Sequence, residues 1–485
     1  MPSSPSPIDR VLDHLSKDEP AAISRLVDWL RIPSISTDPA YRGDCRRAAE
    51  WCAAELRRAG LRAELRETGD IGPDGKGSGH PVVMGYSEGG EGGPHVLFYG
   101  HYDVQPADPL DLWESPPFEP VVRDARPGEE GGRRIVARGA VDDKGQVAMF
   151  LEALHAWKAA GGPAAGGVKF TVMIEGEEES GSANLERFVR ENAAELRGCD
   201  FCLISDTGML GRTEPAITYG VRGLVYTEVI LHGANQDLHS GLWGGRAPNP
   251  NNELAKVLSK LWDDQGRVTI PGFYDAVRPL SPQEREMWAR LPFNAAEALA
   301  RIGLPPEADR GEAGYTAMER EWARPTADVN GIWGGYTGHG AKTVIPARAS
   351  AKVSFRLVAD QEPAKIRDAF FDWCRANTPP GCRWEFIDHS GGWPATVPTD
   401  SPYLAAASRA IERATGRKPW LIKSGGSIPV AGMLKAEIGL NTVFMGFGLE
   451  DDRVHSPNEK FELDCFRMGA RSHAILIDEL RAMKG

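Results

Sequence analysis

Three short, predominantly apolar runs, 95–99, 168–174 and 201–204, set the terms on which this chain can fold. Such runs suit strands covered on both faces, and helical patterns at 146–159 and 185–196 separate them. Strand and helix in this alternation predict an α/β domain with a largely parallel sheet. Helical spacing also opens the chain, with Ile8, Val11, Leu12, Leu15, Ile23, Leu26, Val27 and Leu30 on one pattern and Pro20 as a break or second start. A further helix is predicted from Asp44 as N-cap through Leu56, stopping at Gly60.

The pattern changes near Pro215. From 221 to 231 apolar residues alternate, placing Val225, Thr227, Val229 and Leu231 on one face, as in a sheet with one wet side. A helix over 251–262, a strand over 351–358 and a helix near 363–376 complete a small α+β module, while 265–330 carries no readable motif. The run DHSGGWP at 388–394 reads as a return linker. Helices at 403–414 and 465–483 and a strand at 442–447 then rejoin the first sheet. With 485 residues, about three times the ~150-residue prior for one domain, the expected division is a catalytic domain over 1–214 and 391–485, interrupted by an inserted domain over 215–390.

Composition excludes several classes. Lys+Arg of 56 against Asp+Glu of 68 gives a net charge of −12, and no basic run offers a phosphate-binding stripe, so nucleic acid is not an expected partner. No apolar run reaches the ~18–20 residues of a membrane span, and the first residues lack the pattern of a secretory signal. The 7 cysteines are odd in number and scattered, which predicts reduced thiols and a cytoplasmic protein. Cys199 and Cys202 form a C-x-x-C, but CDFCLISD reads as a buried strand rather than a redox or metal site.

Each predicted core strand runs into acid or histidine: GHYD at 100–103, EGEEE at 175–179, SD at 205–206. Ligands bind at the carboxyl ends of strands in open α/β sheets. AVDDKG at 140–145 and VHSPN at 454–458 add Asp142, Asp143 and His455. Histidine and carboxylate donors without cysteine suit a catalytic Zn²⁺, Mn²⁺ or Co²⁺ site. Taken singly, Asp142 and Asp143 also fit a helix cap and first-turn acid, and the glutamate run fits a solvated loop.

Together GHYDVQP (100–106), RGAVDDKG (138–145), EGEEESGS (175–182), SD (205–206), TYGVRG (218–223), DLHSG (237–241), GAKTVIP (340–346), GGSIP (425–429) and HSPNEK (455–460) resemble the carnosinase-like dipeptidase branch of the clan MH zinc metallopeptidases, whose family includes carboxypeptidase G, aminoacylases and desuccinylases. The resemblance implies a two-domain protein: a phosphorylase/hydrolase-like α/β catalytic domain with an inserted α+β, ferredoxin-like lid and dimerisation domain. It implies two Zn²⁺ per chain, one on His101 and Asp206, the other on Glu179 and His455, bridged by Asp142. It further implies that Asp103 orients His101, that Glu178 is general base to a water between the metals, and that His239, from the other subunit of a homodimer, stabilises the oxyanion. Arg356, Thr343, Gly426 and Ser427 are then the contacts to the free carboxylate of a dipeptide.

The alternatives are an N-acyl-amino-acid deacylase or carboxypeptidase of the same chemistry, a metal-free glycosidase pair built on Glu178, and a non-catalytic binding homologue. Glu177 adds a third consecutive acid, so the roles of Glu178 and Glu179 rest on the Ser-Gly that follows.

Overall fold

The computed structural model describes residues 5–72, 77–90 and 93–483; the remainder, including the first four residues of the expected catalytic domain, lies outside the described residues. The chain divides into two compact units. The first runs to Tyr219 and takes in Val397–Ile422 and the chain from Leu434 onward; the second comprises Gly220–Thr396 and Lys423–Met433. Lys423–Met433, which contains Gly426 and Ser427, thus groups with the second unit, although the sequence reading placed it in the returning catalytic segment.

The first unit is built on a mixed sheet. Its strands are ordered Arg62–Arg66, Val82–Ser87, Lys169–Glu175, His95–His101, Phe201–Ile204, Thr442–Phe444 and Ala216–Val221. The four from Lys169–Glu175 to Thr442–Phe444 are mutually parallel, and the flanking strands are antiparallel. Their carboxyl ends therefore open on one side. Lys144–Ala159 is buried almost all round, and Phe150 stacks on Phe98 at 3.7 Å between centroids. Leu463–Arg481 contributes His473, edge-on to both rings.

The opening helical region is two helices, Pro7–Lys17 and Glu19–Leu30, with Pro20 in the first turn of the second. The next helix, Arg42–Arg58, begins two residues before Asp44, which sits in its first turn instead of capping it. All 7 cysteines are free thiols, and Cys199 and Cys202 are buried beside or in the strand Phe201–Ile204.

The second unit has an antiparallel sheet ordered Thr326–Gly334, Arg348–Leu357, Gly223–His232 and Arg383–Gly392. Val225, Val229, Leu231, Val353, Phe355 and Leu357 face a core shared with the helices Pro250–Leu258 and Pro363–Ala376. The predicted linker at 388–394 is a correction: through Gly392 it continues the strand Arg383–Gly392, with a register shift between Asp388 and Ser390. A bulge lets a sheet absorb an extra residue and keep pairing, so the strand takes up His389 and continues with Gly391 and Gly392 paired to Val225 and Leu224. The stretch 265–330 holds three short α-helices, Pro282–Ala289, Ala295–Arg301 and Ala317–Ala323, and a 3-10 turn at Pro306–Ala308.

Candidate metal centre

His101 is the last residue of its strand and Asp206 stands two beyond the end of the neighbouring strand. Between the strand Lys169–Glu175 and the turn Glu178–Ser180, Gly176 lets the backbone cross the ring of Tyr102, where a Cβ would lie 2.2 Å from ring atoms. Asp142 comes from the loop before Lys144–Ala159, and its peptide bond to Asp143 is cis. Gly145, in the first turn of that helix, lets the loop pack against it, because a Cβ there would meet the Ala140 carbonyl at 1.9 Å.

These elements assemble two groups of donors with one member in common. His101 Nε2 lies 3.1 Å from Asp142 Oδ1 and 3.7 Å from Asp206 Oδ2; His455 Nε2 lies 2.9 Å from Asp142 Oδ2 and 3.3 Å from Glu179 Oε2. Within each group the ligand atoms are all within 4.8 Å of one another. Each oxygen of Asp142 thus faces a different histidine.

The donor set fits divalent cations. His101 Nδ1 faces the Asp103 carbonyl at 3.1 Å and the Asp103 carboxylate at 3.4 Å, so its proton belongs on Nδ1 and the Nε2 lone pair faces Asp142 and Asp206. That Nε2 is buried without a hydrogen-bond partner. The carboxyl groups of Asp103, Asp142, Asp143, Asp206, Glu178 and Glu179 crowd around two imidazoles, and burial together with the neighbouring acids pushes Asp143 and Glu178 above the usual carboxylate range. Burial alone would lower the pKa of His101, but the carboxylates of Asp103, Asp142 and Asp206 hold it well above the usual histidine range. Hydrogen bonds to Asp142 and Glu179 raise His455 to about 10. A cluster that draws protons onto both histidines will draw cations in their place.

The three glutamates separate cleanly. Glu177 is structural: its carboxylate accepts from His80 N at 2.8 Å and from the backbone and side chain of Asn184. Glu179 turns toward His455, with Gln105 donating to it at 2.7 Å and Asp103 Oδ2 accepting from its backbone N–H at 3.0 Å. Among the described residues nothing hydrogen-bonds to the Glu178 carboxylate. Burial pushes it up to about 9, against the pull of His101. Gln105, inside GHYDVQP, is not marked out by the sequence, because nothing in spacing distinguishes a donor to Glu179 from an ordinary turn residue.

The other expected site residues lie in the second unit. His239 is exposed at the end of Leu238–His239; its Nδ1 accepts from Gly241 N, which leaves the proton on Nε2 free to donate outward. Thr343 is exposed beside it, its carbonyl accepting from Ser240 N. Separately, Arg356 Nη1 donates to Ser427 Oγ at 2.8 Å, and the Gly426 carbonyl accepts from Arg222 N.

Known proteins agree with this architecture. A profile of Peptidase family M20/M25/M40 matches residues 97–479. Cys-Gly metallodipeptidase DUG1 of Candida albicans is 33% identical over 476 residues, 96% of each chain, and Beta-Ala-His dipeptidase of Homo sapiens is 32% identical over 498, covering 99% of this chain and 94% of that one. Among solved structures, the di-peptidase Dug1p from Saccharomyces cerevisiae superposes with a TM-score of 0.79 at 28% identity, covering 98% and 99% of the two chains. The M20 metallo-carboxypeptidase Sso-CP2 from Sulfolobus solfataricus gives 0.77 at 30%, covering 95% and 99%. On fold, motifs and relatedness along nearly its full length, the chain belongs to Peptidase family M20/M25/M40.

Proposed function

We propose that this chain is a dipeptidase that uses two divalent ions to hydrolyse the amide bond of dipeptides with a free C-terminal carboxylate. The observation that carries this reading is the pair of histidine and carboxylate groups joined through Asp142, with the Glu178 side chain close enough to His101 and Asp206 to feel their charge. Relatives named as dipeptidases over almost the whole chain support the substrate class. His101, Asp142 and Asp206 would hold one ion and Asp142, Glu179 and His455 the other, zinc first, with manganese or cobalt as substitutes. Bound there, the ions would polarise the amide carbonyl and make water acidic enough to attack near neutral pH.

The protein's own groups do the rest. Glu178 takes the proton of the attacking water and returns it to the leaving amine. Asp103 keeps His101 in the required tautomer. His239 donates from Nε2 to the oxyanion, supplied by the other subunit of a homodimer formed through the second unit, which acts as lid and dimerisation domain. Arg356 pairs with the substrate carboxylate; because Ser427 Oγ accepts from Arg356, its own proton is left to donate to the same carboxylate, with Thr343 and the Gly426 backbone as further contacts. A cytoplasmic location accords with the free thiols.

One observation favours a second reading: the likeness to a metallo-carboxypeptidase at 30% identity leaves room for longer or N-blocked substrates. Amine release should be measured from free dipeptides, their N-acetylated and C-amidated forms, and N-acyl amino acids. Cleavage confined to free dipeptides is the expected result; preference for N-blocked substrates would overturn the dipeptidase assignment.

A further inference from the structure

The HSPNEK segment does more than supply a histidine. Arg453, His455 and Asn458 have φ of 57°, 60° and 63°, a left-handed backbone that non-glycine residues keep only where their surroundings hold it. Backbone pairing of Lys460–Glu462 with Arg134–Val136 anchors the end of the segment, and two side chains extend the hold back to the turn. Asn458 accepts from Glu114 N at 2.8 Å and donates to the Leu112 carbonyl at 2.9 Å. Glu459, fully buried, receives four donors: Arg138 Nη1 at 2.8 Å and Gly139 N at 2.9 Å on one oxygen, Val141 N at 2.9 Å and Asp142 N at 3.1 Å on the other. Every partner donates, so the group is suited to its ionised form, and an amide there would turn an N–H onto N–H groups.

Glu459 therefore joins two pieces of chain more than three hundred residues apart, the loop that ends in Asp142 and the turn that carries His455. His101 and Asp206 have no such need, since sheet strands place them. We propose that Glu459 is a positioning residue that fixes His455 relative to Asp142 and thereby sets the affinity for the ion held by Asp142, Glu179 and His455. This rests on the two-ion reading above. Replacing a group that orients metal ligands typically costs about 10–100-fold in affinity, and the cost here should fall mainly on one ion. The first site keeps His101 at a strand end and Asp206 two residues past one, whereas the second loses the placement of two of its three.

The test is a Co²⁺ titration of metal-free wild type, Glu459→Gln and Glu459→Asp, read by equilibrium binding and by the visible absorption of each successive ion, with circular dichroism as the check on folding. Wild type should bind two ions; binding of one or none would sink the two-ion reading itself. In Glu459→Gln one ion should bind within about threefold of wild type while the other weakens by about 10–100-fold with an altered spectrum. Glu459→Asp, which keeps a carboxyl group on a shorter stem, should be intermediate. Equal binding and unchanged spectra in a folded variant would overturn the proposal while leaving the two-ion reading intact. Equal weakening of both ions, or failure of both variants to fold, would make Glu459 a general structural residue and overturn it too.

Discussion

The two halves of the donor cluster are held in different ways. His101 is wholly buried and ends a central strand, beside a strand that leads to Asp206; His455 leaves half its side chain exposed on a left-handed turn, and Glu179 sits on a short helical turn. One half is placed close to the ends of sheet strands, the other by turns that lie further from the strands they adjoin and are clasped by side-chain hydrogen bonds. The difference teaches where each half can fail: the buried half through its supporting core, the exposed half through its clasps.

Asp142 belongs to both halves, so its loss should erase the contrast. Asp142→Ala is expected to weaken both ions and reduce dipeptide turnover by roughly 10³-fold or more, as read by metal analysis beside kcat. If one ion stayed at wild-type affinity, Asp142 would not be shared.

Glu178→Ala should instead separate binding from chemistry. Both ions stay and kcat falls by about 10²–10⁴-fold. Near-normal kcat would remove Glu178 from the role of base.

The buried half carries an acid sensitivity of its own. His473 donates from Nδ1 to the Gly469 carbonyl and accepts on Nε2 from Ser205, the residue before Asp206. Burial lowers its pKa to about 4, from an ordinary 6.5. The unfolded chain therefore binds the extra proton first, and stability is lost as pH falls from about 6.5 toward 4, by about 3 kcal/mol in all. Chemical denaturation of metal-free protein across that range should show this slope, and His473→Gln should remove it. An unchanged slope in the variant would mean that other groups control it.

The smallest effect is expected in the second unit. Arg356→Ala should raise KM for free dipeptides and reduce kcat/KM by about 10–100-fold, narrowing the difference between free and C-amidated substrates while leaving both ions bound. A preserved preference for the free carboxylate would place its recognition elsewhere.

Much of this was legible in the sequence because it is local. The apolar runs at 95–99, 168–174 and 201–204 became strands, and the acid and histidine after each were drawn together because parallel strands present their carboxyl ends on one side. The illegible parts depend on distant partners. Glu177 looks like its neighbours until His80 N and Asn184 claim its carboxylate. Gln105 and Glu459 sit inside motifs, but their partners are an oxygen of Glu179 and backbone N–H groups that no residue pattern announces. The end of the strand Arg383–Gly392 was hidden by its own glycines, which read as turn punctuation but pair with Val225 and Leu224 past a bulge at His389. Lys423–Met433 groups with the second unit through tertiary contacts that composition does not record.

The most direct test of the central claim is to follow turnover of a free dipeptide while Zn²⁺ or Mn²⁺ is added back to metal-stripped protein and the bound ions are counted in the same samples. The account predicts no turnover in chelator and recovery that is complete only when two ions per chain are bound. Full turnover by the stripped protein, or full recovery with a single ion, would contradict it.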